Sequence, residues 1–334
     1  AGYGIARAVA INSGIANAAT GDKGLQTARQ SSGIVADALG CPVQEVLVAS
    51  TGVIGQAMSI EPFAKGIPEA AAKLAATEAG SHDAATAIMT TDTHSKEVSI
   101  EFTIGGKTCR MGAIAKGSGM IHPNMATMLC FATTDCAISP AMLDKAIHQV
   151  TEKTFNMISI DGDTSTNDTF AILANGAAGN PEITAPGPDY DAFVQALEAV
   201  CRTLSKLMAG DGEGATKLLI CQVDGAATLD MARTVAKSVI CSTLFKAAMF
   251  GADANWGRVL CAIGYSGAAV DVDKIDVSFR SAKGQVDVCQ KGAGIPFSEE
   301  EASLVLGEGE IEILIHLHMG QESAQAYGCD LTYD

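Results

Sequence analysis

Apolar positions along the chain fall into short runs separated by glycine-rich turns, and their spacing changes from run to run. Ala6 to Ile11 is a brief apolar run that stops at the turn-rich NSGIANAATG, and between Asp22 and Leu39 the residues Leu25, Ala28, Val35 and Leu39 return at helical spacing. Gly40 and Pro42 mark the end of that helix, because glycine accepts the left-handed turn that closes a helix and proline cannot continue one. EVLVAS (45–50) predicts a buried strand running into the loop STGVIG (50–55), and an Ala-rich helical stretch follows near 61–80. VSIEFTI and KTCRMGAIA flank Gly105-Gly106, a hairpin signal. TMLCFATTD (127–135) predicts a buried strand, 139–157 a helix, and 186–210 a loop leading into a longer helix. Further strands are predicted near 216–223, 258–264, 275–280, 285–289 and 310–317. Strands and helices mix without strict alternation, which predicts α+β or layered α/β architecture and argues against a doubly wound sheet. The Ala/Gly/Asp-rich stretch Asp224 to Asp230 is the candidate seam between a larger N-terminal body and a smaller C-terminal part.

Composition narrows this picture. With 334 residues, 48% hydrophobic and 18% charged, the chain can fill a sizeable core, and roughly 150 residues per domain suggests about two domains. The 22 basic residues against 38 acidic ones leave a formal charge of −16, which argues against a nucleic-acid partner, since phosphate binding rests on clustered cations. No apolar run reaches the roughly 18 residues of a membrane span, and the opening AGYGIARAVAINSG lacks the layout of a secretory signal. A cytoplasmic location is therefore expected, or a mitochondrial one if the source is eukaryotic, since the chain opens at Ala1 without Met and an upstream segment is expected. The ten cysteines are scattered without C-x-x-C pairing and read as buried free thiols of a reducing compartment.

Three segments place glycine beside small hydroxyl or acidic residues in ways a core does not require. In STGVIG a strand ends in Ser50-Thr51-Gly52; glycine lets backbone N–H groups approach a ligand, and a Thr hydroxyl adds a second donor, so the pair can hold a developing oxyanion or simply form a strand-to-helix turn. In AKGSGMIHPNMATMLCFATTD (115–135) a Gly-rich approach leads to the junction Ala126-Thr127 and straight into a strand. A Thr there can attack the preceding carbonyl. Once the bond breaks, Thr127 carries a hydroxyl and its own base, an α-amine titrating near ~7.7–8.0; the alternative is a β-branched residue opening a strand. In DGEGATK (211–217), Glu213 sits between glycines, either as a solvated acid or as a carboxylate for a cationic ligand group, and the segment fits no P-loop. His316 and His318 share a strand face without a third ligand at a telling spacing, so no metal site is expected. DGDTSTND (161–168) fails as a calcium loop, with Thr166 and Ile172 where Gly and Glu belong. The repeated Thr of MTTDT (89–93) either lines a polar pocket or caps a turn.

Taken together, NSGIANAATG, STGVIG, MTTDT, AKGSGMIHPNMATML, DGEGATK, FGADANWGRVLCAIGYSG and AYGCDLTYD resemble, in order from Asn12 to Asp334, the ornithine acetyltransferase (glutamate N-acetyltransferase) family of arginine biosynthesis. The resemblance implies an αββα-type sandwich like that of self-processing aminopeptidases, and a precursor cut by its own Thr127 between Ala126 and Thr127. The products would be an α chain (1–126) and a β chain (127–334), of which about 225–334 forms a smaller C-terminal domain, pairing into an α2β2 heterotetramer. Thr127 would accept the acetyl group of N-acetylornithine and pass it to glutamate in a ping-pong transfer. Thr51 and Gly52 match the family's oxyanion hole, and Thr90, Lys116, Thr127 and Glu213 its substrate-contacting positions. No cofactor is implied, with acetyl-CoA admitted as a co-substrate. Relative to the family the chain lacks an N-terminal stretch and a C-terminal tail with two further contacting residues, an Asn and a Thr, and Ile15 stands where a polar residue is expected.

The residues also bear on these roles directly. Glutamate is an anion, and a protein of charge −16 repels it unless a local cation reverses the field; Lys116 is the expected supplier, and Glu213 has the sign to receive an ornithine amino group. Two rival readings stand beside this one: a self-cleaving aminopeptidase or amidase in which water attacks the acyl enzyme, and an unprocessed homologue that binds amino acids without turnover.

Overall fold

The computed structural model describes residues 4–122 and 128–332. Along the chain the elements are β1 (Ala8–Asn12), α1 (Gly21–Leu39), β2 (Val46–Ser50), α2 (Glu61–Ala72), α3 (Glu78–Ala87), β3 (Lys96–Ile104), β4 (Lys107–Lys116) and β5 (Leu129–Thr134). There follow α4 (Pro140–Thr151), β6 (Ile158–Ser159), β7 (Thr169–Ala174), α5 (Pro188–Gly210), β8 (Leu218–Ala226), α6 (Leu229–Cys241), α7 (Thr243–Phe250) and α8 (Trp256–Gly264). The chain closes with β9 (Asp276–Ser281), β10 (Gly284–Gln290), β11 (Ala293–Gly294), α9 (Glu299–Leu306), β12 (Glu310–His316) and β13 (Glu322–Cys329). The result is the expected layered mixture of helix and sheet. Among the described residues no helix is long and apolar enough to cross a membrane.

The chain folds as two compact units. One takes residues 1–117, 125–150 and 165–200 and the other 118–124, 151–164 and 201–334. The first unit holds the parallel pair β1-β2 and a four-stranded sheet in the order β3-β4-β5-β7, antiparallel except for the parallel β5/β7 pair. The second holds a seven-stranded sheet, β11-β10-β9-β12-β8-β13-β6. Its buried face carries Leu219, Cys221 and Val223 of β8 with Ile311, Ile313 and Ile315 of β12, at the period of two that one sheet face requires, and these join Ala232, Val235, Ala236 and Val239 of α6 in one core. The stretch Asp224 to Asp230 forms the end of β8, a turn and the start of α6.

Local chemistry accounts for the element ends. Gly40 closes α1 at φ 64° with its N–H on the Ala36 carbonyl. The Ala-rich helix expected over 61–80 is instead two helices, because Thr77 caps α3 by accepting the Gly80 N–H at 3.1 Å. The helix expected over 139–157 stops at Thr151, and the chain turns through Phe155–Met157 into β6. Residues 258–264, expected as a strand, lie in α8: Asn255 accepts the Arg258 N–H at 3.2 Å, and Val259, Ala262 and Ile263 are buried at helical spacing. All ten cysteines are free, but Cys261 is exposed and Cys41 and Cys241 are half-buried, so the expectation of uniform burial fails at those three.

Candidate active site

The loop after β2 is fixed by its neighbour after β1. Asn12 pairs with Ser50 at the end of the parallel ladder, and the bonding continues beyond it: the Thr51 N–H donates to the Asn12 carbonyl at 3.1 Å and the Val53 N–H to Gly14 at 3.0 Å. The Gly52 N–H between them takes no part in that ladder. Gly52 adopts φ +124°, and a Cβ placed there would lie 2.3 Å from the Gly14 backbone, so both conformation and close approach demand glycine. Ser50 is held from two sides. Its hydroxyl accepts the Asn17 N–H at 2.8 Å, and Asn167 Nδ2 donates to the Ser50 hydroxyl at 3.0 Å and to its carbonyl at 3.2 Å.

Lys116, the last residue of β4, is 3% exposed and donates from Nζ to Thr51 Oγ1 at 3.3 Å. A hydroxyl that accepts from an ammonium keeps its own proton to give, and polarisation by the charge makes it a better donor. Asp92 balances the lysines: Lys96 Nζ donates to its Oδ1 at 2.7 Å, and Lys116 Nζ stands 4.0 Å from its Oδ2. The Gly117 N–H donates to Oδ1 at 2.7 Å and the Thr90 N–H to Oδ2 at 3.1 Å. Burial alone would raise the Asp92 pKa, but the Lys96 bond, the two amides and the Lys96 charge outweigh it and hold the carboxyl below the usual range. Thr90 itself is exposed beside this buried network.

The first unit thus brings together Thr51, Gly52, Thr90 and Lys116. Glu213 belongs to the second unit, where it is exposed on the turn after α5, donates its N–H to the Ser118 carbonyl at 3.0 Å and carries its carboxylate over Gly119. Ala126 and Thr127, the expected cleavage junction, lie outside the described residues. The described chain resumes at Met128, 1% exposed, and Leu129 partners Lys116 across the β4–β5 ladder. His318 Nε2 meets Asp276 Oδ2 at 2.7 Å, which gives that histidine a partner on β9. Sequence reasoning missed Asp92 and Lys96, the ion pair beneath Lys116, and also Asn167 and Asp168. Asp92 stood inside MTTDT, and its spacing of four to Lys96 was the available signal.

A polarised hydroxyl, a glycine whose N–H stands outside the ladder and a buried cation make a place where negative charge can develop on an acyl oxygen, so the first unit has the equipment of an acyl-transfer enzyme. Comparison with known proteins gives the lineage. The ArgJ family profile matches residues 2–334. The arginine biosynthesis bifunctional protein ArgJ of Caldanaerobacter subterraneus subsp. tengcongensis is 50% identical over 331 residues, covering 99% of this chain and 82% of that protein. The protein of the same name from Symbiobacterium thermophilum is 50% identical over 328 residues, covering 98% and 80%. A crystal structure of the arginine biosynthesis bifunctional protein argJ from Bacillus halodurans matches with a TM-score of 0.57 at 44% identity, over 60% of this chain and 93% of that one. The chain belongs to the ArgJ family, the family its motifs resemble, and is an acyltransferase of arginine biosynthesis.

Proposed function

We propose that this protein transfers the acetyl group of N-acetylornithine to glutamate through an acetyl ester on Thr127, after cutting its own chain between Ala126 and Thr127. The observation that carries this reading is the Lys116 ammonium held 3.3 Å from the Thr51 hydroxyl, beside Gly52. The Thr127 hydroxyl attacks the acetyl carbonyl, its proton passing to the free α-amine, which titrates near ~7.7–8.0 and so serves as a base close to neutral pH. The oxyanion that develops accepts from the Thr51 hydroxyl and the Gly52 N–H. Collapse breaks the C–N bond, and ornithine leaves with the proton. The glutamate amine then attacks the ester, and the Thr127 oxygen departs with a proton returned by the amine. Lys116 receives a substrate carboxylate, Thr90 contacts substrate at the edge of the same cluster, and Glu213 receives an amino group. The transfer uses the chain's own groups and needs no metal or organic cofactor.

The solved relative supports a cut chain: 93% of it covers 60% of this one, so it is a polypeptide about two thirds as long, and residues 127–334 would make one of 208 residues. The α and β chains would stay together and pair as α2β2. Intact-mass measurement should find the chain in two fragments that meet at the Ala126–Thr127 bond, and Thr127→Ala should abolish cleavage and transfer together. Persistence of either activity in that variant would refute the role of Thr127, and hydrolysis of N-acetylornithine indifferent to glutamate would favour an amidase. Because its relatives carry the word bifunctional in their names, a second donor is the companion reading; glutamate acetylation with acetyl-CoA in place of N-acetylornithine tests it.

A further inference from the structure

Gly119 has no role in the scheme above, yet it lies under the carboxylate that the scheme assigns to an amino group. It belongs to residues 118–121, which the second unit holds through their backbone. The Ser118 hydroxyl donates to the Asp211 carbonyl at 2.7 Å, and the Ser118 carbonyl accepts the Glu213 N–H at 3.0 Å. One carboxylate, that of Asp161, accepts from the N–H groups of both Met120 and Ile121, and the Ile121 carbonyl accepts the Ile160 N–H at 2.6 Å. The turn that carries Glu213 is packed down as closely. A Cβ at Gly212 would lie 2.9 Å from Ile160 Cγ2 and 3.0 Å from Cys329 Sγ.

Between these two segments the Glu213 carboxyl fills the space that a side chain on residue 119 would need. A Cβ there would stand 2.5 Å from Glu213 Oε1, 2.6 Å from Cδ and 2.9 Å from Oε2, closer than non-bonded atoms come. The Gly119 φ lies outside the left-handed region, so it is the missing side chain that the position requires, and not an unusual backbone. The carboxylate is exposed and has no hydrogen bond or ion pair among the described residues. The two sides of this contact are not equally free to move. Residues 118–121 are tied at their peptide groups, whereas the carboxyl ends a flexible side chain that can turn to another staggered rotamer. A methyl added at residue 119 therefore displaces the carboxyl and leaves the backbone in place.

We propose that Gly119 is a specificity-determining residue for the donor: by carrying no side chain it seats the Glu213 carboxylate where the side-chain ammonium of N-acetylornithine is received. The inference rests on the functional reading above, in which Glu213 receives an amino group. The two substrates differ at the end of the side chain. N-acetylornithine has its α-nitrogen in an amide and ends in an ammonium, whereas glutamate ends in a carboxylate and brings its amine uncharged to the attack. A carboxylate held in one place attracts the end of the donor and offers nothing to that of the acceptor. Displacing it should therefore weaken one half of the transfer and spare the other.

Gly119→Ala in the full chain tests it, because in a ping-pong transfer kcat/KM for each substrate reports its own half-reaction. The value for N-acetylornithine should fall at least about tenfold, the scale of a hydrogen bond to a charged group. The value for glutamate should fall by no more than about twofold. The chain should still cut itself, with Tm within about 3 °C of wild type. An unchanged donor value, or equal losses for both substrates, overturns the role of Gly119. So does failure to fold or to cut, since the backbone and not the carboxyl would then have given way. Glu213→Gln supplies a second check: in that background the same methyl should cost less than about a further twofold, there being no charge left to misplace, and independent losses that multiply would overturn the proposal. Should Glu213→Gln alone leave the donor value intact, the functional reading of Glu213 fails; a loss in Glu213→Gln with none in Gly119→Ala sinks this inference alone.

Discussion

Lys96 and Lys116 in one unit, Lys217 and Lys246 in the other, are all lysines that folding has taken out of water, yet their ammonium groups meet different partners. In the first unit the partner is a carboxylate: Asp92 lies 2.7 Å from Lys96 and 4.0 Å from Lys116, and Lys116 extends past it to the Thr51 hydroxyl. In the second unit the partners are backbone carbonyls, joined at Lys246 by the Cys329 sulfur at 3.7 Å. Lys217 Nζ donates to Met249 at 2.6 Å, to Phe250 at 3.5 Å and to Leu306 at 2.8 Å, and Lys246 Nζ donates to the Ile160 carbonyl. Met249 and Phe250 end α7 and Leu306 ends α9, so the Lys217 ammonium caps carbonyls at the C-terminal ends of two helices and sits at the negative end of both dipoles. A lysine used in this way is a structural clamp. One backed by a shared carboxylate keeps charge that a substrate can use.

The comparison predicts opposite consequences for stability and turnover, beginning with the carboxylate. Asp92→Asn leaves two buried ammonium groups without their counter-charge and should cost about 3–5 kcal/mol, the range for breaking a buried ion pair, read from urea denaturation. The same residue gives the unit an acid limit. Its folded pKa lies below the ordinary value, so its contribution is present above the unfolded value near ~3.9 and is lost as pH falls through the folded one; Asp92→Asn should remove that part of the acid transition. Next, Lys116→Met should lower kcat/KM for glutamate about 10²–10³-fold, the range for removing one charge-stabilising donor, with little change in Tm because Asp92 keeps Lys96. A large loss of stability with normal transfer would place Lys116 among the clamps.

Lys217→Met should invert that pattern. It strands the Leu306 carbonyl, whereas the Met249 carbonyl keeps the Ala252 N–H at 3.2 Å, and should cost about 1–3 kcal/mol, while the kcat/KM of the folded enzyme stays within about twofold of wild type. A loss of transfer exceeding the loss of folded protein would erase the distinction between the two sets of lysines.

How far the sequence foretold this arrangement depends on the range of the interaction. STGVIG was legible because its message is local: a strand ending in hydroxyl and glycine, confirmed by the φ of Gly52 and its closeness to Gly14. What could not be read was that the loop after β1 supplies the backing, since that depends on the β1–β2 register. Asp92 stood in MTTDT, which either lines a pocket or caps a turn by sequence alone, and nothing in the sequence singled out Lys96; their burial at 0% side-chain exposure comes from the completed unit. Asp168 stood in a stretch set aside as a failed calcium loop, and the burial of its carboxyl comes from the completed unit. Helix α8 was misread as a strand because RVLCAIG is a short apolar run on which the two periods cannot be separated; the Asn255 cap decides it. Strand β13, ESAQAYGC, went unpredicted because its small residues carry little alternation.

The smallest expected effect tests whether carbonyl partners fully replace a carboxylate. Lys237 on α6 donates to the Asn156 carbonyl at 2.8 Å and the Ile158 carbonyl at 2.5 Å, and burial lowers its pKa to about 8 against a slight upward pull from Cys241. A neutral amine still has two hydrogens for those two carbonyls, so deprotonation removes the cost of a buried charge and keeps the bonds. Between about pH 8 and the unfolded value near ~10.4 the unfolded chain therefore binds more protons than the folded one at this site, and the contribution of Lys237 to stability rises with pH. Denaturation of wild type and Lys237→Met at pH ~7.5 and ~9.5 isolates it. The wild type should gain on the order of 1 kcal/mol relative to the variant over that interval. A constant difference would mean that the two carbonyls hold the ammonium as well as water does, and a widening in favour of the variant would mean that an acidic group shares the site.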